Sequence, residues 1–194
     1  MATEGGNGYH YTGLHAFGFL EGADAPADEV VAALRELGEP PDGPVIWAGS
    51  FVGDYAGLVH VRVAEKALGE LQDLIAGAFF IRGFRGRWAI EVRPAEDETQ
   101  AGGPIARYVG VKRGTQEIIA ICALQVRPGA LDDVLRRVQH ITTFRGASIV
   151  FGDADILVQL GDADYAKVAA SVEVEVQGID QITSASTAFC DGGR

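Results

Sequence analysis

The 194-residue sequence predicts an α+β fold of two tandem β-α-β-β-α-β units, and three observations predict it. A short pattern occurs twice, as FVGDYAGLVHV over 51–61 and FGDADILVQL over 151–160, each with Gly-Asp between two apolar stretches. Around each Gly-Asp the apolar periodicity changes in the same order, from strand-like runs to a 3.6-residue stripe and back. Between the copies lies an acidic stretch followed by Gly-Gly-Pro, which has the composition of a linker.

The second copy shows the order most clearly. IIAICALQV (118–126) is rich in Ile, Leu and Val, as a strand covered on both faces would be. Arg127-Pro128-Gly129 marks a turn. ALDDVLRRVQHI (130–141) then places Leu131, Val134, Leu135, Val138 and Ile141 on one helical face. ASIVF and DILVQL flank the Gly152-Asp153-Ala154 turn as a hairpin. Asp162 is expected to cap a second helix, with Tyr165, Val168, Ala169, Val172 and Val176 inward. Within it, SVEVEV (171–176) alternates as a strand would, but the wider window keeps the helical period and predicts helix. Gly178 stops the helix, and ITSASTAF (182–189) is the last strand.

The first copy repeats the order. LHAFGFL (14–20) is a strand, and PADEVVAALRELG (26–38) a helix with Val30, Val31, Leu34 and Leu37 inward. VIWAGSF and LVHVRV form a hairpin around Gly53-Asp54-Tyr55. AEKALGELQDLIAGAF (64–79) carries Leu68, Leu71, Leu74 and Ile75 on one face, and RWAIEV (87–92) closes the sheet. Both copies follow the ferredoxin-like order. The boundaries are 9–93 for the first unit, 94–116 for the linker and 117–191 for the second unit. Ile105, Tyr108, Val109 and Val111 suggest that the linker's second part lies against the body as an extra strand. Helices cover one side of each four-stranded sheet and leave the other bare. Pairing the bare faces, within one chain or between chains, gives a dimeric α+β barrel.

Composition narrows the function classes. Sixteen Lys and Arg against 27 Asp and Glu give a net charge of −11, the wrong sign for a partner with a phosphate backbone. MATEGGNG has neither a basic nor an apolar segment of a secretory signal, and IIAICAL is far too short to span a membrane. The expectation is a cytoplasmic protein with no nucleic-acid or membrane partner. Cys122 and Cys190 are then reduced thiols on neighbouring strands.

VRPGALDDVLRRV (126–138), GASIVFGDADILVQL (146–160) and QGIDQITSASTAF (177–189) together resemble the ligand-binding (RAM-like) domain of the Lrp/AsnC regulators. The features that carry the resemblance are Pro128-Gly129 before the helix, the Gly152-Asp153-Ala154-Asp155 turn, Gly178-Ile179 at the helix end and the Thr/Ser-rich last strand. It covers about 117–191, and the first half shares it mainly through Gly53-Asp54-Tyr55. The resemblance implies a dimeric domain that binds amino acids or similar small effectors near subunit contacts. It places the effector site at Gly152, Asp153, Asp155, Thr183 and Ser184. Such regulators carry an N-terminal helix-turn-helix, whereas about ten residues precede the first strand here, so direct DNA contact is not expected. The first copy has Ala56 where the second has Asp155, so the site is expected on the second copy.

The residues themselves admit plainer readings. Gly53 and Gly152 suit the positive φ of a tight hairpin, and Asp54 and Asp153 stabilise such turns. A turn does not require Asp155, whose carboxylate is suited to an ammonium group. His10, His15, His60 and His140 show no metal-ligand spacing. His15 and His60 fall on strands of one unit, within reach of each other, but read as unrelated polar-face residues. No Ser-His-Asp or Cys-His arrangement points to a catalytic residue, and nothing points to a metal or cofactor. IRGFRGRW (81–88), with Arg82, Arg85 and Arg87 beside Phe84 and Trp88, reads as a loop hairpin with local ion pairs. Tyr9, His10 and Tyr11 read as a tail folded over a neighbouring surface, or as disorder.

The expected function is non-enzymatic: binding of an amino-acid-like effector by a homo-oligomer that regulates through a protein partner. The alternatives are a cofactor-free or haem-dependent enzyme of the barrel type, and a structural subunit assembling through exposed sheet edges.

Overall fold

A computed structural model of the chain describes residues 14–22, 25–38, 44–63, 68–78, 83–94 and 118–191. The first half contains β1 (Leu14–Gly22), α1 (Ala27–Arg35), β2 (Val45–Ser50), β3 (Val52–Gly53), β4 (Gly57–Val63), α2 (Leu68–Ala78) and β5 (Arg85–Pro94). The second contains β6 (Ile118–Val126), α3 (Leu131–Gln139), β7 (Phe144–Gly152), β8 (Ile156–Asp162), α4 (Tyr165–Ala170, continued as a π-helix over Ser171–Val176) and β9 (Ile182–Asp191). The expected strand in the linker, the His10 tail and Arg82 lie outside the described residues.

The fold is mixed α+β, and the nine described strands form one antiparallel sheet ordered β2-β4-β1-β5-β7-β8-β6-β9-β3. Two pairings join the halves. β5 pairs with β7 from Ala89↔Gly152 to Pro94↔Ser148, and β3 pairs with β9 through Val52↔Phe189 and Gly53↔Ala188. Because β3 continues β2 through Phe51, the segment 45–53 stands at both ends of the strand order.

The period-2 alternation of each strand sorts its side chains into different cores. Along β1, Ala16 and Leu20 join α1 and α2 in one cluster, with Val30, Leu34 and Leu71. Cys122, Leu124, Val134, Val138, Val158 and Val168 form the matching cluster under α3 and α4. Phe17 and Phe19 face the other way, into an inner cluster with Phe51, Leu58, Ile121, Val150 and Leu157, drawn from both halves. Each large apolar side chain buried there contributes roughly 1.5–3 kcal/mol relative to exposure.

Some expectations are corrected. Leu37 lies beyond the end of α1 and is exposed, because the helix stops at Arg35. Tyr165 is 55% exposed and lays its ring against Phe189, 5.4 Å away between centroids. The cap of α4 is Asp164, whose carboxylate accepts from Ala166 N at 2.9 Å; Asp162 instead accepts from Asp164 N. SVEVEV is helical as expected, but in π geometry, with Gln177 N donating to Val172 O. Val168, Val172 and Val176 are buried every fourth residue, which leaves Glu173, Val174 and Glu175 outside.

Cys122 and Cys190 do lie on neighbouring strands, β6 and β9, and neither forms a disulfide among the described residues. They sit on opposite faces: Cys122 opposes Thr187 in the core beneath the helices, while Cys190 opposes Ile119 against the inner cluster.

Candidate functional site

The two Gly-Asp hairpins make the same contacts, each with the other half of the chain. Gly53 and Gly152 have φ of 144° and 134°, and a Cβ on either would run into a backbone carbonyl, that of Thr187 or of Trp88. Asp54 N donates to Thr187 O at 3.0 Å, and Thr187 N donates back to the Asp54 carboxylate at 2.7 Å. In the second hairpin Asp153 N donates to Trp88 O at 3.4 Å, and Trp88 N donates to the Asp153 carboxylate at 3.2 Å. One position after the central residue the match continues within each half, with Ala56 N on Leu20 O at 2.7 Å and Asp155 N on Leu124 O at 2.8 Å.

Between these matched positions one residue differs in bulk. Tyr55 is buried, meets Phe19 edge-on at 5.2 Å between centroids, and donates its hydroxyl to Ile121 O at 2.6 Å. Its counterpart is Ala154, a single methyl. A cleft opens on the Ala154 side. Phe19 and Arg87 line it from the first half. Ala123, Gln125, Asp153, Ala154, Ser184 and Ser186 line it from the second. Its room, about 10 Å³, suits one water molecule, so a larger ligand must lie across the mouth or displace Gln125 and Arg87.

The cleft carries both signs of charge. The Arg87 guanidinium pairs with Glu21, and both side chains are partly exposed. Asp153 spends one carboxylate oxygen on Trp88 N, and its carbonyl accepts from Gln125 Nε2 at 3.3 Å. Of the residues expected at the site, Asp153 and Ser184 line the cleft. Gly152 lies beside them and sets the hairpin's path. Asp155 does not line it, and one of its oxygens accepts from Val126 N at 2.8 Å, which fastens the hairpin to β6. Thr183 is exposed and donates to Gln125 O at 3.2 Å.

Arg87, Gln125 and Ser186 were not expected there. Arg87 is expected both at the start of the strand 87–92 and in the loop hairpin 81–88; the strand begins two residues earlier, at Arg85, and register with Phe19 turns Arg87 toward the cleft. That phase was available from the alternation of Arg85, Arg87 and Ala89.

The reading of His15 and His60 as unrelated is overturned. His15 Nδ1 lies 2.9 Å from His60 Nε2, and Phe17 stacks on His60 at 4.6 Å with 13° between planes. Both rings are buried, and burial pulls His15 down to about 4 and holds His60 well below its ordinary range. Glu91, two residues beyond Ala89 on β5, is pushed by burial up to about 7, despite the Ser148 hydroxyl beside it. Among the described residues no group of three or more His, Cys, Asp or Glu could hold a metal ion, and no helix is long and apolar enough to cross a membrane.

No protein-family model and no curated protein matches the chain. Several solved structures do. The structure of Escherichia coli AsnC is 14% identical over 38% of this chain and 50% of its own, with a TM-score of 0.35. A hypothetical protein from Pyrococcus horikoshii is 15% identical over 38% of this chain and 88% of its own, with a TM-score of 0.36. A protein from Fusobacterium nucleatum, described as a candidate monooxygenase, covers 92% of both chains at 9% identity, with a TM-score of 0.41.

Proposed function

We propose that the chain is a regulatory protein that binds an amino acid, or a closely similar zwitterion, at the Ala154 cleft. The observation that carries this reading is the convergence of Arg87, Asp153, Ser184 and Ser186 on one opening. A guanidinium pairs with a ligand carboxylate in a planar fork, and the second oxygen of Asp153 accepts from the ammonium group. Gly152, Asp155 and Thr183 shape the site by holding the hairpin and β6 in place.

The matched hairpin contacts also support a tandem reading, with units at 9–93 and 117–191, a linker at 94–116, and one α+β barrel formed within the chain. Assembly through exposed sheet edges loses its basis at β5 and β7, and at β3 and β9, which pair with each other. The net charge of −11 favours a protein partner over nucleic acid as the regulated target.

Calorimetry with a panel of amino acids tests the reading. At least one should bind, and Asp153→Asn or Arg87→Leu should each weaken it by about tenfold or more, the loss of one charge-assisted hydrogen bond. Absence of heat with every amino acid, or unchanged affinity in both variants, would sink it.

A further inference from the structure

The residues around the Ala154 cleft are sorted by depth. Gln125, Asp153 and Ser184 are exposed and Arg87 is half-buried, so the charged and amide groups stand at the mouth. Phe19 and Ala154 are each only 2% exposed, and with half-buried Ala123 they set an apolar floor. The room between them, about 10 Å³, takes one group the size of a water molecule.

This depth decides how an amino acid can enter. A charged group taken down to the floor would lose its hydration against side chains that cannot replace it, so the carboxylate and the ammonium stay at the mouth. There Glu21 engages Nε of Arg87, and the terminal nitrogens of the guanidinium are the fork offered to the carboxylate. What points down is the side chain. A water molecule at the floor needs several polar partners, and the side chains of Phe19, Ala123 and Ala154 supply none. A methyl group of similar size needs no such partner.

The first hairpin shows what bulk at this position does. Tyr55 stands where the second hairpin has Ala154, and its buried ring meets Phe19 and Phe51. One side chain therefore separates a filled floor from room for a single carbon.

We propose that the cleft selects its amino acid by side-chain size, taking alanine first and glycine next, with Phe19 and Ala154 as the residues that set the limit. The inference rests on the reading of the cleft as an amino-acid site and adds the class of ligand to it. Larger side chains are rejected because extra methylenes in a packed space force the neighbouring side chains out of their preferred rotamers.

Calorimetry on the full chain with glycine, alanine, 2-aminobutyrate and leucine tests the limit. Alanine should bind about fourfold more tightly than glycine, the gain from burying one methyl group. The longer 2-aminobutyrate should bind more weakly than alanine, and leucine at least about tenfold more weakly. Ala154→Gly lowers the floor by one methyl and should raise 2-aminobutyrate relative to alanine by about fourfold, and Phe19→Leu should act in the same direction. Melting curves establish that each variant is folded, and the order of the four ligands on the parent chain is a test that needs neither variant. Leucine binding as tightly as alanine, and still weakened by Asp153→Asn, would overturn the size limit while leaving the amino-acid site in place. An unchanged order of ligands in the folded variants would overturn the roles of Phe19 and Ala154. Silence with every amino acid would remove the site itself, and the size limit with it.

Discussion

Asp54 and Thr187, 133 residues apart, hold each other by a reciprocal pair of hydrogen bonds: carboxylate to amide at 2.7 Å, and amide to carbonyl at 3.0 Å. Asp153 and Trp88 form the same pair at 3.2 and 3.4 Å. The Asp of each hairpin therefore acts as a clasp on the last strand of the other half.

Removing a clasp should cost stability. Asp54→Ala leaves a part-buried amide without its charged acceptor and should destabilise by about 1–3 kcal/mol. Asp153→Ala, with longer bonds, should cost less. Chemical denaturation measures both, and a larger loss for Asp153→Ala would contradict the geometry.

The bulk at positions 55 and 154 should decide which side of the junction is open. Ala154→Tyr should close the cleft and abolish any amino-acid binding measured in the parent chain. Tyr55→Phe should remove the hydroxyl that donates to Ile121 O and cost on the order of 1–2 kcal/mol, without affecting the ligand. Calorimetry and denaturation together separate these outcomes.

Stability should peak near pH 6.5. A histidine depressed from 6.5 to about 4 contributes stability that is complete above 6.5 and is lost as pH falls toward 4; His60 acts in the same direction. Glu91, raised from 4.5 to about 7, contributes stability that is complete below 4.5 and is lost as pH rises through 7. Between 4.5 and 6.5 two histidines oppose one carboxyl, so stability should rise by on the order of 1 kcal/mol per pH unit. Glu91→Gln should remove the fall above 6.5, and an unchanged profile in that variant would refute the assignment.

The thiols should react unequally and never with each other. Cys122 is buried, and burial pushes it up to about 11, so it should resist alkylation until the chain unfolds. Cys190 is partly exposed and should be labelled first. Mass spectrometry that found a 122–190 disulfide in folded protein would contradict their placement on opposite faces of β6 and β9.

Strands and hairpins could be read from the chain because their causes are local. IIAICALQV spans 118–126 both in expectation and in the structure, and Gly-Asp marks both turns. Asp153 and Ser184, which line the cleft, are named in the same way, from positions along the chain. Tyr55 and the histidine pair were not, because their roles depend on what stands opposite: Ile121 from the other half, or a strand 45 residues away. Leu37 kept the helical stripe beyond the point where α1 stops at Arg35, which shows that periodicity alone does not end a helix.

The pairing of Asp54 with Thr187 also sets an order for biosynthesis. At about 5–20 residues per second, the first hairpin waits several seconds or more for the strand that completes it. During that interval Val52 and Gly53 lack their β9 partner, and the inner face of β1 lacks the side chains of β6 and β8. The nascent first half is thus the stage most in need of protection from neighbouring chains, and truncation before β9 should yield an aggregating product.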